Sequence, residues 1–542
     1  MTTLTHETST QTDLLDVLIV GGGFSGLYAL DQLRDRGFSV KVWDAAGDFG
    51  GIWWWNCYPG ARTDSTGQVY QFSHKDLWKE FDFAELFPSH EGVREYLNYV
   101  DQKLDLRKDV TFDTFVDRAA WDENSHTWTV TSTDGKAQRA KTVIVATGFG
   151  SKPLYPDIPG LDSFAGECHH TARWPQAGVE LTGKKVVVLG TGASGVQVIQ
   201  EAAPVAEHLT VFQRTPNLAL PMRQKQLTPD DNEEFRKDLP RRFEVRARAF
   251  AGFDFDFMAV MGADLSPAEL RAEYDKLWEH GGFELWLGTL GDMLADEKVN
   301  RTFYDYWRSK VHERVADPAK AELLAPALPP HPFGVKRPAL EQNYFDVING
   351  ENVDLIDHNE EPILEVVPEG VRTKNGLIEA DVLVLATGFD NNRGGILAID
   401  LEGVGGVKLQ DKWAGKVETN FGLSTAEFPN LLFLYGPQSP SGFCNGPTSA
   451  EEQGKIVVEF LEHVRDCGLT RFENTRESEL QWTQHLDELF EASMFTKAKS
   501  WYWGANVPGK PAQMLNYCGG LQGYFDQWVA DKELEYGNYT FA

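Results

Sequence analysis

Two glycine clusters, each followed at the same distance by a polar residue, are where this 542-residue chain is best equipped for chemistry. In "LLDVLIVGGGFSGLYALDQLRDRGFSVKVWDAA", Gly21, Gly23 and Gly26 fit GxGxxG, and Asp44 stands 23 positions after Gly21. Glycines so spaced allow a tight turn, close approach of backbone to a pyrophosphate, and close packing of helix on sheet. A carboxylate at the end of the next strand accepts hydrogen bonds from the adenosine ribose hydroxyls. This copy reads as an FAD site. In "KKVVVLGTGASGVQVIQEAAPVAEHLTVFQRTP", Gly190, Gly192 and Gly195 repeat the pattern, but the same offset lands on Gln213, with Arg214 next. The ribose carboxylate is gone, and a guanidinium can grip a 2′-phosphate through paired charge-assisted hydrogen bonds. This copy reads as an NADPH site; the alternative is that Arg214 is a solvated surface charge.

Both motifs need the same support: an apolar strand, the glycine turn, an amphipathic helix and a second strand. The fold class is therefore α/β, with two Rossmann-like dinucleotide-binding domains. Two more apolar strands, "KTVIVATGFG" (141–150) and "ADVLVLATGFD" (380–390), end in the same Ala-Thr-Gly-Phe. Paired endings of this kind suit crossing points where the chain leaves one domain and later returns. The expected division is a flexible N-terminus (1–14), a discontinuous FAD domain (15–150 and 386–542), and an NADP domain (151–224 and 331–385). Residues 225–330, with charged and aromatic residues at helical spacing, read as a helical insertion that ends in "PALPPHPFGVKRP".

Composition narrows the function. A formal charge of -30 and a pI near 4.8 disfavour nucleic acid or an anionic membrane as partner. There is no run of 18 apolar residues, so a cytoplasmic protein with small-molecule partners is expected, with no obligate protein partner evident. Cys57, Cys168, Cys444, Cys467 and Cys518 form neither a CxxC pair nor a zinc-ligand spacing. No metal is expected, and a disulfide reductase is disfavoured.

Two longer patterns carry a resemblance. "FAGECHHTARWP" (164–175) fits FxGxxxHxxxW[PD], and "GGIWWWNCYPGARTD" (50–64) fits [AG]GxWxxxx[FY]P[GM]xxxD. With the two glycine motifs, "KRP" at 336–338 and "WYWGANVPGK" at 501–510, the chain resembles the type I Baeyer-Villiger monooxygenases from about residue 15 onward. The resemblance implies oxidation of a linear or cyclic ketone to an ester or lactone through a C4a-peroxyflavin, consuming NADPH and O2. It implies that Arg337 is the active-site arginine and Asp64 the carboxylate that orients it, both also touching cofactor. Flavin contacts are implied for Phe24, Ser25, Gly51, Ile52, Trp53, Arg62, Tyr70 and Val116. On the NADP side the implied residues are Thr191, Ala193, Ser194, Gln197 and Thr215, with Lys336 joining Arg214 on the 2′-phosphate and Trp501 at the nicotinamide ribose. Ser441, Gly442 and Phe443 resemble a substrate-lining loop, where Phe443 either narrows the pocket or packs. Thr66 departs from the glutamate common at that position in relatives.

His170 lies far in sequence from Arg337 and Asp64. It is expected to latch the interdomain linker by a hydrogen bond while Trp174 packs, not to act as an acid or base. Rival functions are a flavin N-hydroxylating or heteroatom monooxygenase, and a non-enzymatic FAD/NADP redox sensor in which Arg337 and Asp64 would have no use.

Overall fold

The computed structural model describes residues 13–542 apart from Pro508. The expected flexible N-terminus, save for Asp13 and Leu14, lies outside the described residues. The continuous apolar run LDVLIV forms strand β1 (Leu15–Val20), as befits a parallel strand covered on both faces. Helix α1 (Phe24–Asp35) follows and buries Leu27, Leu30 and Leu33, and the chain returns as β2 (Val40–Trp43), parallel to β1. Strands β3 (Val110–Thr111), β4 (Val116–Asp122), β5 (Thr127–Ser132) and β6 (Ala137–Val145) extend the same sheet. Its order is 400–402, β4, β5, β6, β1, β2, β3, with 431–433 pairing the C-terminal half of β6. The sheet is thus built from both ends of the chain.

A second sheet holds β7 (Glu167–His170), β8 (Lys185–Leu189) and β9 (His208–Gln213). Strands Val353–Asp357 and Val382–Leu385 complete it, in the order 353–357, β9, β8, 382–385, β7, all parallel. The expected linker therefore contains a strand, because "ECHH" pairs residue for residue with Val382–Leu385. Residues 363–379 form a three-stranded antiparallel sheet that hydrophobic runs had not announced.

The two passages between the sheets bond to each other. Leu154 donates to the Gly388 carbonyl and Asp390 to the Lys152 carbonyl, both at 2.9 Å, around an antiparallel bridge of Pro153 with Phe389. Between them lie the helices 229–246, 267–280, 284–287, 297–314 and 318–324, all but 284–287 beginning at a side-chain cap. Thr228 and Ser266 each make a capping box with proline in the first turn. Trp286, Phe303 and Trp307 of these helices share one apolar core with Val186 and Val188 of β8.

Both glycine turns are closed to a side chain. A Cβ on Gly26 would stand 1.9 Å from the Gly21 carbonyl oxygen, and one on Gly195 would stand 2.1 Å from that of Gly190. Overpacking of this kind costs on the order of 1–3 kcal/mol. Gly195→Ala is therefore expected to weaken NADP+ binding roughly 5- to 150-fold while the purified protein keeps its flavin absorbance. Gly26→Ala should reverse the pattern, with flavin lost. Calorimetric titration with NADP+ beside a visible spectrum reads both.

Candidate active site

Asp64 ends the loop that follows the short helix α2 (Ile52–Trp55), and Arg337 lies on the connector leaving the helical insertion. They meet although 273 residues separate them. Arg337 Nε donates to Asp64 Oδ2 at 2.7 Å and Nη2 to Oδ1 at 2.9 Å, a two-point grip, while Nη1 donates to the Gly442 carbonyl at 3.0 Å. The side chains are only 19% and 31% exposed. Burial works against the guanidinium charge, but the Asp64 carboxylate outweighs it and holds the Arg337 pKa above its ordinary value. The Phe283 ring lies 4.8 Å and the Trp286 ring 5.7 Å from the guanidinium carbon. Three of five N–H groups are engaged, which leaves two to meet an incoming oxygen.

The neighbourhood is aromatic. Trp53 Nε1 donates to Tyr70 Oη at 3.0 Å, and Phe24 packs edge-on to Tyr70 at 5.3 Å. The Thr66 carbonyl accepts from Val69 (3.1 Å) and Tyr70 (2.9 Å), so Thr66 closes the turn that presents Tyr70. A cavity of about 70 Å³ adjoins Asp64, lined by Thr66, Phe87, Phe253, Phe255 and Phe283. Gly442 has to be glycine: a Cβ would meet Asn516 Oδ1 at 2.6 Å and the Trp501 ring at 3.0 Å.

The cradles on either side fit two dinucleotides. Asp44 accepts from the Gly22 amide and, at 2.6 Å, from Ala46, and its burial raises its pKa. Gly51, at φ +54°, packs against the Gly23 backbone, where a Cβ would stand 2.9 Å from the Gly23 Cα. Ile52 follows, while Val116 opens β4 two residues beyond Thr114, whose amide donates to the Asp44 carbonyl. Ser25 lies in the first turn of α1. In the second cradle Ala193 and Ser194 open helix Ala193–Ala202 after Gly192, and Thr191 Oγ1 donates to the Thr215 carbonyl at 3.2 Å. Arg214 is exposed, and burial aided by the Arg214 charge brings the Lys336 pKa down to about 8. Among the described residues neither cation has an acidic partner, which suits a dianionic group.

Several expected contacts are otherwise engaged. Gln197 Oε1 accepts from Tyr58 Oη at 2.8 Å and its Nε2 donates to the Arg62 carbonyl at 3.1 Å. Its amide thereby joins the two nucleotide halves. The Arg62 guanidinium pairs with Glu85 at 3.3 Å. Ser441 is buried and donates to Asn516 Oδ1 at 2.9 Å, while the Phe443 ring packs between Phe495 and Tyr502 at 4.9 and 4.4 Å. Trp501 stacks on Phe149 at 5.4 Å.

The hydrogen bond expected of His170 is local: Nδ1 accepts from Ala172 at 3.0 Å. Its ring instead packs on both crossing segments, against Tyr155 at 5.1 Å and Phe389 at 6.1 Å. Burial brings its pKa down to about 4, so it is neutral at pH 7. Neighbouring residues reach across to the first half. Cys57 Sγ approaches the buried Trp174's carbonyl at 3.3 Å, and the Arg173 guanidinium covers Trp55 at 4.7 Å.

Sequence reasoning missed a buried ion pair. Arg246 and Glu451, with side chains 1% and 3% exposed, meet at 2.5 Å. Arg246 also donates to the carbonyls of Val69 (2.6 Å) and Gln71 (2.8 Å), which flank Tyr70, and Glu451 accepts from the Ser73 amide at 2.6 Å. Nothing marks Arg246 among the arginines of "RRFEVRAR".

A flavin-binding monooxygenase-like family matches residues 15–231. Cyclopentanone 1,2-monooxygenase of a Comamonas species is 47% identical, with all of both chains covered. A Baeyer-Villiger monooxygenase of Pseudooceanicola batsensis is 35% identical over 98% of this chain and 97% of its own. The chain belongs to the Baeyer-Villiger monooxygenase family. The crystal structure of OTEMO in complex with FAD and NADP superposes with a TM-score of 0.94 at 34% identity, covering 98% of this chain and 100% of that one.

For this family member, Glu451→Ala leaves a buried arginine unpaired and should cost about 3–5 kcal/mol. The joint replacement Arg246→Met with Glu451→Leu should recover only part of that loss: no charge is then stranded, but the Val69 and Gln71 carbonyls and the Ser73 amide lose these partners. Thermal unfolding of the FAD-loaded protein checks both. An alanine variant as stable as wild type would show that the pair does not hold the Tyr70 segment.

Proposed function

We propose that the protein oxidises linear or cyclic ketones to esters or lactones in the cytoplasm, with FAD bound, by the balance ketone + O2 + NADPH + H⁺ → ester + NADP⁺ + H2O. The division that fits is FAD held by 15–150 with 386–542, NADPH by 151–224 with 331–385, and the helical insertion 225–330 packed over both. Bound FAD supplies the oxygen chemistry and NADPH the reducing equivalents. The carrying observation is the Arg337 fork, gripped at two points by Asp64 with two N–H groups to spare.

Arg337 supplies a permanent positive charge where negative charge develops on oxygen, and Asp64 fixes the plane of the fork so that no reorganisation is needed during reaction. The aromatic wall of Phe283 and Trp286 excludes water from the charge. His170, neutral and buried away from the pair, keeps the crossing segments in register and moves no proton. The cavity beside Asp64, walled by Phe87, Phe253, Phe255 and Phe283, suits an apolar ketone.

Removing one preorganised donor from such a site costs about 2.7–4 kcal/mol, or roughly 10²–10³ in turnover. Arg337→Ala should therefore keep FAD and anaerobic reduction by NADPH within a few-fold of wild type, yet lose ester formation by at least about 100-fold. Arg337→Lys should rescue poorly, since a point charge cannot accept the two-point grip of Asp64. Stopped-flow absorbance reports reduction, and product analysis with oxygen uptake reports oxygenation. Normal ester yield from the alanine variant would withdraw Arg337 from the chemistry.

A further inference from the structure

We propose that His358 is a third, titratable member of the 2′-phosphate site, meeting a phosphomonoester dianion together with Arg214 and Lys336. This rests on the reading of the second glycine motif as an NADPH site and extends it to a residue that carries no motif.

The placement follows from strand register. Strand Val353–Asp357 lies parallel to β9 with Asp357 opposite Gln213, so the two strands end at the same level. The next residue of each, His358 and Arg214, leaves the same edge of the sheet. Their backbones are tied there: His358 donates to the Gln213 carbonyl at 2.8 Å, and Asn359 Nδ2 donates to the Arg214 carbonyl at 2.7 Å. The His358 ring stands edge-on to Phe212 at 6.1 Å. It is half-buried, and neither ring nitrogen has a partner among the described residues. Lys336 approaches the same Arg214 charge from the connector. Three elements therefore bring cationic or protonatable groups together in a chain whose formal charge is -30.

Of the acidic groups nearby, Asp357 acts on His358 and partly offsets the Arg214 charge there, while its Oδ1 accepts from the Asn359 amide and side chain, both at 2.9 Å. Asp354 pairs with His208 at 2.9 Å, and Glu361 accepts from Thr373 and Asn375 at 2.5 and 2.6 Å. Glu360 is exposed, and His331, on the Lys336 side, donates Nδ1–H to the Pro332 carbonyl at 2.8 Å and is held neutral by burial, with a pKa brought down to about 4. No carboxylate neutralises Arg214 or Lys336 among the described residues, so the demand for negative charge at this edge is met from outside.

The consequence is proton uptake on binding. In the free protein, burial first and the Arg214 charge second push the His358 pKa below its ordinary value, so the ring is neutral near pH 7. A dianion between His358 and Arg214 reverses the second effect and favours the protonated ring. Uptake occurs where the ring is neutral before binding and charged after it, from the lowered pKa of the free protein to the raised one of the complex. Affinity should rise as pH falls through that window. The phosphate's own second protonation, near pH 6, opposes this, so the effect is read above pH 6. Lys336, with a pKa of about 8, adds its own uptake toward the top of this range, so the His358 share is read as the difference between the unmodified protein and a His358 variant.

The test uses FAD-loaded protein titrated calorimetrically with NADP+ and with NAD+ at pH 6.3 to 7.5, in buffers of different ionisation heat. NADP+ binding should take up a fraction of a proton that NAD+ binding does not. His358→Gln should reduce this uptake, most clearly at the lower end of the range, and lower NADP+ affinity roughly three- to tenfold, with NAD+ affinity unchanged. Arg214→Ala serves as the reference for the site as a whole. Equal affinity of the unmodified protein for NADP+ and NAD+ would overturn the NADPH reading itself. A preference that Arg214→Ala removes but His358→Gln leaves intact, with proton uptake unaltered, would overturn the assignment of His358 alone.

Discussion

The two-point hydrogen bond between Arg337 and Asp64 is the constraint on which the rest of the structure depends. Each partner is delivered by a different half of the chain: Asp64 by the loop that packs Gly51 against the Gly23 backbone, Arg337 by the connector that closes the helical insertion. A desolvated guanidinium without its carboxylate would be costly, so the arrangement is stable only when both halves are in place. Helix 267–280 needs its cap, and 284–287 the core shared with β8, because Phe283 and Trp286 cover the guanidinium.

That dependence explains why so many contacts join the signature loop, residues 50–64, and the adjacent helix 90–104 to the second half. Gln197 reaches from helix Ala193–Ala202 to Tyr58 and Arg62, Arg173 covers Trp55, and Gln176 Oε1 accepts from Arg94 at 3.1 Å. On the opposite side the two crossing segments are bonded to each other through Leu154, Gly388, Lys152 and Asp390, with His170 packed over Phe389 and Tyr155. A change in the angle between the sheets has to turn about this doubled connection while the contacts of the signature loop shift, which makes the loop the element most sensitive to domain position.

The glycine motifs were legible because their information is local: turn, helix start and strand end fall within one βαβ unit, and the spacing of Gly21, Gly26 and Asp44 survives in the geometry. Arg337 was legible only through resemblance, since no local pattern pairs a residue with another 273 positions away. β7 was hidden because four polar or small residues, "ECHH", form a strand by pairing at a sheet edge and not by apolar alternation. The protein contacts of Gln197 and the whole of Arg246 were missed for a related reason. A polar side chain in a motif can face ligand or protein, and which of these it does depends on what the fold brings opposite it: Tyr58 for Gln197, and Glu451 with the Val69 and Gln71 carbonyls for Arg246.

A chain of charge -30 that handles anions has to hold positive charge where its own carboxylates do not erase it. The protein does this in two opposite ways. Arg337 is paired with Asp64, and the pairing leaves it oriented and able to donate two further N–H groups, which suits charge that appears only during reaction and must be met without rearrangement. Among the described residues Arg214, at a strand end, and Lys336, on the connector, have no acidic partner, and the Lys336 charge is disfavoured by burial and by its neighbour, bringing its pKa to about 8. Such a site is strained when empty and relieved by a ligand that arrives already charged, so its energy goes into binding and discrimination. On the proposed function, the difference between the two arginines is therefore one of partner and not of residue type: a carboxylate at 2.7 Å suits Arg337 to transient charge, and Arg214, without an acidic partner among the described residues, to permanent charge.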